Sequence, residues 1–145
     1  MGRLEGKVAF VTAAGGAIAG ATARLFGAEG AAVACVDIVQ DNVEKTAAYI
    51  NQAGGRAIAL VCDVTDDEAV KEAVEKTVAA FGKLNVLFNA AAYSEKRHRL
   101  ADMPLDMWKN VIEVNLTGMF IVARHVIPRM QAAGGGAIVN ISSIY

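Results

Sequence analysis

The sequence predicts an α/β fold, a parallel sheet doubly wound with helices, and three features predict it. Short apolar runs alternate with longer segments whose apolar residues recur at helical spacing. The apolar runs are continuous rather than alternating, the pattern of strands covered on both faces. Glycines stand where the helical patterns end, and a chain leaving a helix commonly needs a left-handed residue there.

In chain order, residues 7–13 form the first apolar run and lead through Thr12-Ala13-Ala14-Gly15-Gly16-Ala17-Ile18-Ala19-Gly20 into a helical segment that ends near Gly30. Residues 31–37 form the second strand. Val43, Ala47 and Ile50 then lay an apolar helical stripe that stops at Gly54-Gly55. Residues 56–62 make the third strand, and Val70, Val74, Val78 and Phe81 give the next helix its stripe before Gly82. Residues 84–89 and 137–141 complete a set of five strands, the last following Gly134 to Gly136. No repeat, low-complexity tract or composition shift divides the chain, so residues 1–145 read as one domain. Such a sheet usually continues past its fifth strand, so the expectation is an N-terminal part whose last strand keeps an unpaired edge.

Composition narrows the function. The 145 residues are 54% hydrophobic and 20% charged with a net charge of −1, which suits a soluble globular domain and gives no global field for nucleic acid or an anionic membrane. The longest apolar stretch, residues 119–127, is interrupted by Arg124 and His125 and falls short of the roughly 18 to 20 residues of a membrane span. Neither a secretory signal nor a myristoylation pattern is legible at the N-terminus. Cys35 and Cys62 sit in apolar runs without metal-ligand spacing, so buried thiols in a reducing compartment, a cytoplasmic setting and no metal are expected. Trp108, Met103, Leu105 and Met107 read as helix-packing residues. The run Tyr93-Ser94-Glu95-Lys96-Arg97-His98-Arg99 is the most basic and reads as a solvated loop, with an anionic substrate as the functional alternative.

The turn after the first strand lies where a β-α dinucleotide fold sets a pyrophosphate against helix amides. It resembles the TGxxxGxG turn of the short-chain dehydrogenase/reductase family, with Thr12 matching the threonine and Ala13, Ala17 and Ala19 standing at the glycine positions. The resemblance implies a Rossmann-like fold and cofactor contacts at Thr12, Gly15, Gly16, Ala17 and Ile18. Asp37 ends the second strand, where a carboxylate can accept from the adenine-ribose hydroxyls and repels a 2′-phosphate, favouring NAD over NADP. Its alternative role is to help cap the next helix. Asp63-Val64 resembles the family's segment near the adenine ring, or forms an Asx turn or helix cap with Thr65 and Asp66. Asn89-Ala90-Ala91 is similar to the family's NNAG, with Asn89 tying the central strands together first and serving the cofactor second.

The same resemblance extends to the reaction. Val114-Asn115-Leu116-Thr117-Gly118 looks like the family's Asn-bearing helix, which assigns Asn115 a proton-relay role unless a backbone bond holds it. The segment Gly136-Ala137-Ile138-Val139-Asn140-Ile141-Ser142-Ser143 resembles the strand whose second serine orients the substrate oxygen, and Ser143 matches it. The family's YxxxK pair, which carries the acid-base step, is not among these residues, and Tyr145 does not match it. The implied activity is NAD-dependent interconversion of a secondary alcohol and its ketone by a homodimer or homotetramer, with the chain alone inactive. The alternatives are a 3-oxoacyl carrier-protein reductase using NADPH, and a non-catalytic nucleotide-binding or assembly half-module.

Overall fold

The computed structural model describes residues 2–94 and 98–143. Strand β1 (Val8–Thr12) is central in a parallel sheet of order β3-β2-β1-β4-β5, with β2 (Ala32–Asp37), β3 (Arg56–Val61), β4 (Val86–Asn89) and β5 (Ala137–Asn140). Helices α1 (Ala17–Ala28), α2 (Gln40–Gln52) and α3 (Asp67–Phe81) connect the first four strands. The expected doubly wound α/β architecture is the one observed, and the order changes direction at β1 and β4, which opens a crevice at their C-terminal ends.

Period-two alternation along β1 feeds two cores. Val8 and Phe10 point toward α3 and the last helix, with Val70, Val74, Val122 and Val126. Ala9 and Val11 point the other way, against Ala19 and Ala23 of α1 and Val43 and Ile50 of α2. Small residues on this second face let the helices lie close to the sheet. Gly27 likewise lets α1 and α2 approach each other, since a Cβ there would stand 2.6 Å from Ile50 Cγ2.

Coverage of the strands departs from expectation at the edges. β1 and β2 are buried almost throughout, whereas β3 is half-buried and β5 is exposed along its whole length. Its apolar composition follows the sheet interior, yet Ile138 and Val139 stay 38% and 46% exposed.

The connection from β4 to β5 holds the second departure. After a short 3-10 turn, α4 (Leu105–Ile112), a π-helical segment (Glu113–Gly118) and α5 (Met119–Ala132) run on as one helix. This 28-residue run, Leu105–Ala132, is long and apolar enough by length and composition to cross a membrane, which corrects the sequence count based on residues 119–127. In the fold, Ile121, Val122, Val126 and Met130 pack it on the sheet, while Arg124, His125 and Arg129 reach Asp67 and Glu75 of α3. α4 buries no residue, and Leu105 and Trp108 are 66% and 49% exposed, so the expectation that they pack inside is overturned.

Candidate functional site

At the C-terminal ends of the strands lies a cleft of about 380 Å³, lined by the turn after β1, the end of β2, the turn after β3 and the segment after β4. Of the residues expected at a nucleotide site, Gly15, Gly16, Asp37, Asp63, Val64 and Ala91 line it. Thr12, Ala17, Ile18, Asn89 and Ala90 are not on its wall.

The turn is built on a strained residue. Ala13 has φ of 56°, the left-handed region, which costs an L residue roughly 1 to 2 kcal/mol. Gly16 N donates to Ala13 O at 2.9 Å and closes the turn. Gly16 is also the N-cap of α1; it brings no capping side chain, and no acidic residue sits in the first turn. The amides of Ala17, Ile18 and Ala19 therefore lack a side-chain cap and form a group of donors at the positive end of the helix dipole. An anionic phosphate fits such an end, so the residues suit the pyrophosphate of a dinucleotide even with alanines at positions 13, 17 and 19.

Asp37 joins the turn to the end of β2. One carboxylate oxygen accepts from Gly15 N and the other from Val39 N, both at 2.9 Å. The second bond is an Asx turn leading into α2 rather than a helix cap, because the N-cap of α2 is Val39. A carboxylate has about four acceptor positions, so the pair of backbone bonds leaves capacity for hydroxyl donors on the cleft side. Glycine at position 15 leaves room for this bond, since a Cβ would lie 2.7 Å from Asn42 Cβ and 2.9 Å from Asp37 Oδ2 and force one of them to shift.

Asp63 forms the Asx turn the sequence allowed, its Oδ1 accepting from Thr65 N and Thr65 Oγ1, while Asp66 caps α3 by accepting from Glu68 N and Ala69 N. Beside them the Cys62 thiol, pushed up to about 11 by burial and the neighbouring Asp63 and Asp66, stays protonated at neutral pH. Burial alone pushes the Cys35 thiol up to about 12. Neither is a nucleophile at neutral pH. Among the described residues no His, Cys, Asp and Glu group forms a metal site.

Thr12 and Asn89 stand behind the wall as its fasteners. Thr12 Oγ1 accepts from Ala90 N at 2.8 Å and Ala91 N at 3.0 Å, and lies 3.4 Å from Asn89 Oδ1. Asn89 Nδ2 donates to Met119 O at 3.1 Å. These bonds tie β1, β4 and α5 together, the structural half of the role expected for Asn89.

Asn115 occupies the π-helical segment, where irregular helical turns often mark functional sites. Its carboxamide pairs with one backbone unit, accepting from Tyr93 N at 2.7 Å and donating to Tyr93 O at 3.1 Å. The side chain is thus held by backbone and fixes the segment after β4 against the cleft. Ser143 is exposed beyond the end of β5, and Ile141 N donates to Asn89 O, so this segment starts beside the end of β4. Residues 95–97 of the basic loop, and Tyr145, lie outside the described residues.

Sequence reading missed Asn42, Tyr93 and Val114 in the cleft. Asn42 had a signal, being a polar residue in the first turn after Asp37. Tyr93 and Val114 become neighbours only through the pairing of Asn115.

The sequence profile of the short chain dehydrogenases matches residues 7–145. The chain belongs to that family. It is 40% identical over 138 residues to cis-4-hydroxycyclohexanecarboxylate dehydrogenase of Sinomonas cyclohexanicum, covering 95% of this chain and 55% of that protein. It is 39% identical over 142 residues to a 3-oxoacyl-[acyl-carrier-protein] reductase of Thermotoga maritima, covering 98% and 57%. Among solved structures, NAD+-bound xylitol dehydrogenase superposes with a TM-score of 0.93 at 40% identity, over 98% of this chain and 55% of that one. The chain thus spans about half the length of the family members it matches.

Proposed function

We propose that the chain is the nucleotide-binding part of an NAD-dependent oxidoreductase that interconverts a secondary alcohol and its ketone. The carrying observation is Asp37, a carboxylate on the cleft wall one hydrogen bond from the phosphate-side turn. The ribose diol donates to it, and a 2′-phosphate in that place meets its negative charge with no adjacent Arg or Lys in sequence. The similarity to NAD+-bound xylitol dehydrogenase supports the same cofactor.

In this reading the helix amides of Ala17, Ile18 and Ala19 bind the pyrophosphate, and Val64 and Asp63 flank the adenine. NAD, when bound, supplies the hydride acceptor. Asn115, its carboxamide taken up by the Tyr93 backbone, keeps that segment in place beside the cleft rather than relaying a proton through its side chain, and Ser143 orients the substrate oxygen. The acid-base step belongs to a Tyr/Lys pair that residues 1–145 do not contain, so the chain alone is inactive. Cytoplasmic location agrees with two buried free thiols. A homodimer or homotetramer agrees with the exposed apolar residues Leu105, Trp108, Leu116 and Phe120 on one long helical run.

Initial rates of a full-length protein containing this chain, with NADH and NADPH compared at equal concentration, test the reading. Preference for NADH is expected, and clear preference for NADPH sinks the cofactor assignment. The second reading, reduction of a 3-oxoacyl carrier protein, draws on the similarity to the Thermotoga maritima reductase and predicts that NADPH outcome.

A further inference from the structure

We propose that Thr46 of α2, together with Gly20 of α1, is the positioning residue that holds the alanine-bearing turn in its ligand-receiving shape. The turn cannot lean on glycine's conformational freedom at residue 13, where Ala13 sits at φ of 56°. Something outside the turn has to keep it there.

Ala14 is where the outside grip falls. It is fully buried, and its N–H donates to Val36 O at 2.9 Å. Its carbonyl accepts from Thr46 Oγ1 at 2.8 Å, a buried contact across 32 residues of sequence. The same hydroxyl lies 3.2 Å from Asn42 O in its own helix. A helical Thr usually satisfies itself on such a carbonyl, yet here the shorter contact goes to the turn. A buried carbonyl that loses its donor has strong cause to move, and Ala13 next to it already favours another conformation.

Gly20 leaves the space for this arrangement. A Cβ on Gly20 would stand 2.9 Å from Ala14 O and 3.7 Å from Thr46 Oγ1, so any side chain there pushes on the accepting carbonyl. Glycine is absent from positions 13, 17 and 19 and present at 20, where it admits the clamp from α2. The inference about nucleotide affinity rests on the NAD reading above; the inference about the turn does not.

The test uses Thr46→Val, which keeps the side-chain volume, with Thr46→Ser, Gly20→Ala and, as a control in the opposite core, Val126→Ala. Amide exchange at Ala14, Gly15 and Gly16 is followed by NMR in the free protein, and NAD affinity by calorimetry, well below the unfolding temperature. Thr46→Val and Gly20→Ala should each speed those amides and weaken NAD by about tenfold, while Thr46→Ser restores both. Val126→Ala should lower global stability and leave the turn amides unchanged relative to the rest. Unchanged exchange and affinity in both Thr46→Val and Gly20→Ala overturns the proposal, as does an equal local response in Val126→Ala. If the wild type fails to bind NAD while the turn amides still respond to Thr46→Val, the nucleotide reading falls and the clamp stands. Should Thr46→Val fail to fold, Gly20→Ala carries the same comparison.

Discussion

Replacing Thr12 by Val probes the fastening between the central strands without creating a cavity. Thr12 is fully buried, and its hydroxyl oxygen is the acceptor for Ala90 N and Ala91 N, at 2.8 and 3.0 Å. Valine fills the same volume, removes that acceptor and takes away the donor 3.4 Å from Asn89 Oδ1. Each polar group left without a partner costs about 1 to 3 kcal/mol. Ala90 and Ala91 are only half-buried, so some water reaches their amides and the low end of that range applies. The expected loss is about 2 to 4 kcal/mol. With a urea slope of roughly 2 kcal/mol/M, the unfolding midpoint should fall by about 1 to 2 M with the slope unchanged. Thr12→Ser, which retains the oxygen, should recover most of the loss. A Thr12→Val midpoint within about 0.3 M of wild type, or a serine variant as unstable as the valine one, would refute the reasoning.

Further outcomes follow from the same contacts. Asp37→Ser should weaken NAD by about tenfold or more and raise the NADPH to NADH preference ratio, measured by calorimetry and rates; an unchanged ratio argues against Asp37 as the discriminator. The His125 ring bonded to Asp67, with Arg124 nearby, holds the Asp67 carboxyl below its ordinary value. A depressed folded pKa means a contribution present above the unfolded value of about 4 and lost as pH falls through the folded one. Urea midpoints of wild type and Asp67→Asn should thus differ at neutral pH and converge in acid, and a gap that widens toward low pH would contradict the sign. Leu116→Glu with Phe120→Glu should shift a homo-oligomer toward monomer in light scattering without loss of helix; an unchanged mass would remove this face as the contact.

Much of this was legible because the interior strands answer to burial alone. β1 and β2 are apolar on both faces and buried on both, so continuous runs located them. Asp37 was legible because a charged residue ending an apolar run has few structural uses. β5 misled for the opposite reason: its composition is that of an interior strand, yet it is exposed among the described residues. The role of Thr12 was hidden, since a threonine that binds a phosphate and one that fastens two backbone amides look alike in sequence. Thr46 left a trace, a polar residue on the stripe of Val43, Ala47 and Ile50, but its partner Ala14 is set by tertiary approach. Asn115 was singled out by the family resemblance alone, while its pairing with Tyr93 depends on a loop whose path no periodicity encodes.

The π-helical segment also works as a phase shifter. A helix turns about 100° per residue, so one extra residue in Glu113–Gly118 rotates everything before it by that angle relative to everything after. Counting back from Met130, Val126 and Val122 in regular turns leads to Ile112 and Trp108 as inward positions. With the added residue, the half-buried positions are Val111 and Met107 instead, and Trp108 and Ile112 are turned outward. Which apolar set goes to the core and which to the surface is decided by the length of that turn. Deleting one residue there turns α4 by about 100° and brings Trp108 and Ile112 inward in place of Met107 and Val111, a change no single substitution on the helix can reproduce.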